Sequence, residues 1–226
     1  MKKAVENLKA CYTEYNEKNY RWIEDDDYRK DTFETENVSL LFNPIHTRAK
    51  ESVVWYQLGE LMKKAKERVV IHTPYIICSE IAACVPCFAS MTNSAANNGN
   101  PFGSADYDKN REKILNTGVD IWEYEGGHSY HGKSILIDDD ISVVGSFNMD
   151  MRSAYLDTEI MLVVKSKEVN KQLEANMKKY EMESRQIKSD GTYENPYQVK
   201  PVELTEKKRK NMTFIQKYLG WSRFLF

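Results

Sequence analysis

The chain has 226 residues, 41% of them hydrophobic and 29% charged, and a net charge of −2. That length suits one domain with appendages and a sizeable core. The near-neutral balance excludes an overall basic field for holding nucleic acid, so any polyanion must be bound locally.

Residues 1–30 read as a charged helix carrying Leu8, Tyr12, Tyr15 and Trp22, aromatics suited to docking on a partner surface. Residues 1–36 are taken as a linker. The acidic run Glu24, Asp25, Asp26, Asp27 lacks the glycine and spaced glutamate of a calcium loop and reads as a solvated turn. Residues 38–42 form a short strand, broken by Asn43-Pro44. Residues 50–67 form a helix with Val53, Val54, Tyr56, Leu58, Leu61, Met62 and Ala65 at helical spacing. Residues 68–73 are a buried strand ended by Pro74, and helix followed by apolar strand suggests an α/β layered fold.

The next stretch is short. Between Thr73 and Met91 there is Pro86 and room for about two helical turns, whereas a parallel crossover normally needs a dozen or more residues. Residues 77–90 are therefore expected to be poorly packed or rerouted. Cys84-Val-Pro-Cys87 is a lone C-x-x-C, read as two small half-buried residues rather than a redox or zinc pair. With Cys11 and Cys78 it makes four cysteines, too few for a disulfide scaffold at this length.

Residues 93–104, rich in Asn and Gly, read as a polar loop, either ligand-binding or plainly connecting. A helix follows at 105–116 with Tyr107, Ile114 and Leu115 inward and Gly118 as its cap, then a strand at 119–124. Residues 160–164 are a strong apolar strand with Glu159 at its mouth. Residues 165–188 read as a charged helix with Val169, Leu173 and Met177 inward, and 189–201 as a loop. The tail, 201–226, interleaves Lys207, Lys208, Arg209, Lys210, Lys217 and Arg223 with Met212, Phe214, Ile215, Tyr218, Leu219, Trp221, Phe224, Leu225 and Phe226. Two readings stay open for it: an interfacial helix on anionic lipid, or a helix packed on its own domain. No signal peptide or bilayer-spanning apolar run is visible, so a cytosolic or peripheral protein is expected unless an upstream segment says otherwise.

The domain at 37–200 is organised around SYHGKSILIDDDISVVGSFN, residues 129–148. It reads as a hairpin. His131 and Lys133 share a face past a small Gly132. A two-residue turn at Asp139-Asp140 would set Ser146 opposite Lys133 and Asn148 opposite His131. Imidazole, ammonium, hydroxyl and amide on one half-buried face make a phosphate site with a nucleophile in it.

The same residues read H-x-K-x4-D-x6-G-S-x-N: His131, Lys133, Asp138, Gly145, Ser146, Asn148. This resembles the signature of the phospholipase D superfamily. With Thr92-Asn93-Ser94, residues 107–124 and 129–164, the chain from Arg68 onward is similar to the second half of bacterial cardiolipin synthases, apart from the short patch. The resemblance implies a layered sheet flanked by helices, one half of the usual two-half enzyme. It also implies that His131, Lys133 and Asp138 are catalytic, that a phosphatidyl group moves between phospholipids through a phosphohistidine, and that no metal or other cofactor takes part. In the fused enzymes the second-motif histidine usually acts as acid–base and its first-motif counterpart as nucleophile. Here His46, His72 and His128 are not followed two places on by lysine, so the chain holds half a site and needs a second motif-bearing half, from a longer gene product or a second copy.

Chemically, the lysine and amide stabilise charge on the non-bridging oxygens, and Ser146 adds a donor. Glu159 is the candidate carboxylate for the far imidazole nitrogen. Asp138, at the turn, is expected to brace the hairpin or its lysine. The expected partners are phospholipid and a membrane surface, at the cytoplasmic face, with no nucleic acid. Two other readings are a homodimeric phosphodiesterase or nuclease of the same superfamily, which needs a basic groove, and a catalytically silent lipid-binding remnant.

Overall fold

The computed structural model describes residues 6, 32–46, 48–76 and 88–221. The chain divides into two compact units, Met1–Glu34 and Thr35–Phe226, and the second contains the sheet. The expected N-terminal helix, its acidic turn, all four cysteines and residues 77–87 of the short patch lie outside the described residues.

The described residues contribute nine strands: β1 (Asn37–Phe42), β2 (Val69–His72), β3 (Phe88–Asn93), β4 (Asp120–Tyr124), β5 (Ser134–Ile137), β6 (Ile141–Gly145), β7 (Ile160–Lys165), β8 (Ser184–Ile187) and β9 (Tyr193–Glu194). They form one sheet in the order β1-β7-β6-β5-β2-β3-β4-β8-β9. Only β2–β3 and β3–β4 pair in parallel; the other neighbours are antiparallel. The parallel β3–β4 step is bridged by a long helix, as a crossover requires, while the antiparallel pair β5–β6 is joined by a tight turn.

Helix α1 (Val53–Met62) covers one face, packing Val54, Leu58 and Met62 on Ile71, Ile135, Ile137, Val143 and Met161. Helix α2 (Pro101–Leu115) packs Tyr107, Ile114 and Leu115 on Val119, Ile121 and Ile187. After the short α3 (Met151–Tyr155), helix α4 (Lys167–Glu181) lies on the face opposite α1. Strand alternation shows this: Ile71 joins the α1 core, while its neighbour His72 reaches Glu181 of α4. The last helix, α5 (Glu206–Phe214), seats Met212 and the following Ile215 against Ala105 of α2. Of the two readings of the tail, packing on its own domain is the one observed for this segment.

Three expectations are corrected. Helix α1 stops at Met62 rather than 67, because the N–H groups of Lys66, Glu67 and Arg68 bond to the Asp138 carboxylate (2.8–3.1 Å). Of the short patch only residues 88–90 are described, and they open the regular strand β3, registered Val69↔Phe88 to His72↔Met91 beside β2. Helix α2 begins at Pro101 inside the expected loop: Asn100 accepts from the N–H of Phe102 (3.0 Å) and Gly103 (3.3 Å), and proline suits the first helical position. The expected helix at 165–188 ends at Glu181, and residues 184–187 pair with β4 as β8, where Arg185 meets Glu125 at 2.7 Å.

Candidate active site

The central hairpin turns through three residues, not two. Ile137 pairs with Ile141 and Ser134 with Val144, so Gly145, not Ser146, stands opposite Lys133, to whose carbonyl it donates at 3.3 Å. The cause is Asp138. Its backbone is left-handed (φ 53°), and its carboxylate is held by the α1–β2 turn, which draws the residue out of the ladder. A one-residue slip exchanges faces. The regular strands end at Ser134 and Gly145 before this matters, and the candidate side chains lie just beyond them, at one end of the sheet.

His131 is placed by its predecessor. Tyr130 N–H donates to Asn93 Oδ1 (2.7 Å), and Asn93 Nδ2 donates back to Tyr130 O (2.9 Å). Asn93 is fully buried at the end of β3, so this clamp is fixed. The Tyr130 ring turns inward among Tyr124, Tyr180 and His72. Alternation then turns His131 outward, where it is exposed, with the ring of Tyr75 edge-on 6.4 Å away. Gly132 has no alternative: a Cβ there would lie 2.3 Å from the Tyr130 hydroxyl oxygen.

Lys133 folds back on His131. Its Nζ donates to His131 O (2.8 Å) and lies 3.0 Å from His131 Nδ1. Burial, then the Lys133 ammonium, hold His131 below the ordinary imidazole range. Both influences favour the neutral ring. Burial also holds Lys133 below its ordinary value, against the pull of Glu159 and Asp150.

Beyond β6 the chain builds a second cluster. The Ser146 hydroxyl donates to Glu159 and accepts from Ile160 N–H (3.0 Å). Ser153, fully buried in α3, accepts from Asn148 N–H (3.3 Å) and Nδ2 (3.2 Å) and hydrogen-bonds Glu159. Asp150 caps α3 through Ser153 N–H (2.7 Å). Burial raises both Glu159 and Asp150 above the usual carboxylate range. Asn148 Oδ1 is buried without a partner.

The expected set therefore falls into three groups. His131 and Lys133 are in contact. Ser146, Asn148 and Glu159 form a network tied by Ser153, and Glu159 bonds Ser146 rather than the far nitrogen of His131. Asp138 stands at the opposite end of β5, on the order of 15 Å from Lys133 at about 3.3 Å per residue. Among the other histidines, His72 is buried against Glu181 (3.1 Å), His128 bonds Gly126 O (3.1 Å) and Tyr124 (3.2 Å), and His46 is exposed. Asn93 and Ser153 escaped sequence reasoning as site residues. Asn93 carried a signal, as the polar residue closing an apolar strand; Ser153 carried none. Among the described residues no group of three or more His, Cys, Asp or Glu side chains is placed to hold a metal, and no helix is long and apolar enough to cross a membrane.

Residues 58–180 match a protein-family model described as "Cardiolipin synthase, PLD-like domain". Cardiolipin synthase A of Wigglesworthia glossinidia brevipalpis is 33% identical over 132 residues, covering 54% of this chain and 26% of that protein. Cardiolipin synthase A of Yersinia pestis bv. Antiqua (strain Angola) is 50% identical over 52 residues, 23% of this chain and 10% of that protein. The chain thus spans about a quarter or less of the length of these curated relatives. In fold it is similar to phosphatidylserine synthase of Haemophilus influenzae Rd KW20 (TM-score 0.59, 16% identity, 84% of this chain and 48% of that one). It is also similar to Nuc, a phospholipase D family member from Salmonella typhimurium (TM-score 0.53, 15% identity, 67% of this chain and 98% of that one).

Proposed function

The chain belongs to the cardiolipin synthase, phospholipase D-like domain family, and from that premise we propose that it supplies the second catalytic motif of a phosphatidyltransferase. The observation that carries this is the contact of the Lys133 ammonium with an exposed His131 at an open end of the sheet. A histidine of the complementary half attacks phosphorus, forms the phosphorus–nitrogen bond and expels the head-group alkoxide. His131 gives that alkoxide its proton. Neutral again, it takes the proton of the incoming alcohol as that oxygen displaces the phosphohistidine. The acid role needs a protonated ring. The bound phosphodiester supplies the condition, since its negative charge raises an imidazole pKa that burial and Lys133 had lowered.

Lys133 neutralises charge on the non-bridging oxygens. Asn148 uses one amide hydrogen on Ser153 and keeps the second for phosphate. Ser146, whose hydroxyl donates to Glu159, acts by positioning that carboxylate. Asp138 acts by positioning the hairpin. The phospholipid substrate, the membrane surface and the second half belong to the same proposal. For the second half the support is an apolar ladder of cross-strand pairs, Leu40↔Leu162 and Phe42↔Ile160, flanked by Val38. These five side chains are 37–57% exposed, and the ladder begins one residue after Glu159. An uncharged six-residue edge strand such as β1 is an aggregation hazard unless something covers it.

The test is release of head-group alcohol from phospholipid vesicles by the chain assembled with a complementary motif-bearing half, with and without chelator. Turnover should persist in chelator and vanish in His131→Ala. An assembled pair without lipid turnover, or one indifferent to His131→Ala, would sink the proposal. A homodimeric phosphodiesterase is the second reading, favoured by the match to nearly the whole length of Nuc; salt-sensitive DNA binding would support it.

A further inference from the structure

We propose that the outward face of the C-terminal helix is a docking site for an anionic bilayer surface. The inference takes its purpose from the phospholipid reading above, but it stands on the geometry of α5 and the π-helical turn that continues it, Ile215–Leu219.

The inward side of this segment is fully engaged. Met212 and Ile215 are buried against Ala105, with Leu204, Phe102 and Leu219 packed around them. Lys208 Nζ donates to the carbonyls of Ala96 (2.7 Å) and Asn98, and Gln216 Nε2 to Ala105 O (3.0 Å). A helix docked this way needs only polar residues on its other side. It carries large aromatics instead. Phe214, Tyr218 and Trp221 follow each other at helical spacing, and they are 56%, 55% and 74% exposed. Phe214 and Tyr218 touch, with ring centroids 5.1 Å apart, and Lys217 Nζ stands 5.2 Å from the Tyr218 centroid.

The charges fit one occupant. Lys207 and Lys210 lie seven and four residues before Phe214, on the same face. From Glu206 to Trp221 there are five basic residues and one acid, in a chain whose net charge is −2. The acid, Glu206, is paired with Lys210 at 2.7 Å. Aromatic rings that are apolar in body and polar at the tip, set among lysines, suit the headgroup layer of a bilayer with anionic lipid. The inward side of the segment is packed on its own domain, it carries five basic residues, and no helix among the described residues is long and apolar enough to cross a membrane, so the segment lies on the surface rather than across it.

The experiment is flotation of the whole chain with vesicles of phosphatidylcholine, with and without phosphatidylglycerol, over a range of salt. Binding should require phosphatidylglycerol and weaken as salt rises. The triple variant Lys207→Gln, Lys210→Gln, Lys217→Gln should lose about a hundredfold in partitioning, near five-fold per lysine. Phe214→Ser, Tyr218→Ser, Trp221→Ser should lose at least tenfold with the circular dichroism spectrum unchanged. Trp221→Ser alone, at the helix end, should show the same direction if the triple variant unfolds. Failure of the wild-type chain to float, or flotation indifferent to the aromatic substitutions, overturns the proposal. So does aromatic-dependent self-association without vesicle binding, which would mark a protein contact. Because His131→Ala should float like the wild type, loss of the catalytic reading and loss of this one are separable.

Discussion

Asp138 offers the sharpest test of how the hairpin is held. Its carboxylate accepts three backbone N–H groups, from Lys66, Glu67 and Arg68. Burial alone would raise its pKa, but these bonds outweigh burial and hold it below the usual value. Its backbone sits at φ 53°, a conformation that asparagine tolerates, glycine adopts freely and alanine resists. Asp138→Asn keeps a neutral acceptor and the backbone preference, and should cost about 1 kcal/mol. Asp138→Gly loses the bonds but not the conformation, about 2 kcal/mol for partly solvated charged bonds. Asp138→Ala loses both, about 3 kcal/mol with the left-handed penalty added. Urea unfolding at neutral pH should rank them in that order. The gap between wild type and Asp138→Asn should be complete above the unfolded-state pKa and close as pH falls through the folded one, because protonation removes the charge that the three N–H groups favour. Three variants within 0.5 kcal/mol of wild type, a margin of the ordinary surface-substitution size, would refute the account. A fully folded Asp138→Asn that loses lipid turnover a thousandfold would refute it too, and return Asp138 to the chemistry.

Lys133→Met should raise the His131 pKa toward the ordinary imidazole value, read from the Cε1–H resonance against pH, because one of its two depressing influences is removed; a fall would contradict the contact. In the wild type, folding favours neutral His131, so its contribution to stability is most adverse below the folded pKa and is relieved as pH rises through the unfolded value. Asn93→Ala strips Tyr130 of both backbone partners and should cost about 2–4 kcal/mol in denaturant unfolding, together with activity; an unchanged midpoint would mean the clamp is dispensable. Ser146→Ala removes a bond that lowers Glu159, so that carboxyl should titrate still higher by NMR. Leu40→Lys with Leu162→Lys should leave the chain folded and abolish its assembly with a motif-bearing half in sedimentation; unchanged assembly would remove the ladder from the interface.

Sequence spacing brought His131 and Lys133 together but misplaced their cross-strand partners. The contact of His131 with Lys133 followed from i, i+2 alternation. The strands at β1, β2, β4 and β7 followed from apolar runs bounded by Pro, Gly and polar breaks. What could not be read was long-range. The α1 boundary depends on a carboxylate 70–72 residues away, and that same bond sets the hairpin register. Ser184 to Ile187 look helical in isolation and become a strand because β4 offers a free edge and Glu125 a partner for Arg185. The α2 start was local and legible, through Asn100 and Pro101, but was masked by the surrounding asparagines. Those asparagines are mostly buried structural donors: Asn97 Nδ2 holds the carbonyl of His128 at 2.8 Å.

The clamp on Tyr130 also has a kinetic consequence. Asn93 reaches it from 37 residues upstream, at the tip of a strand that docks between two parallel neighbours. Pairing of that kind closes long loops and is slow. During refolding, helical signal should return first and protection of the Tyr130 amide from exchange should lag behind it, because the imidazole of His131 has no fixed address until the middle of the sheet has closed.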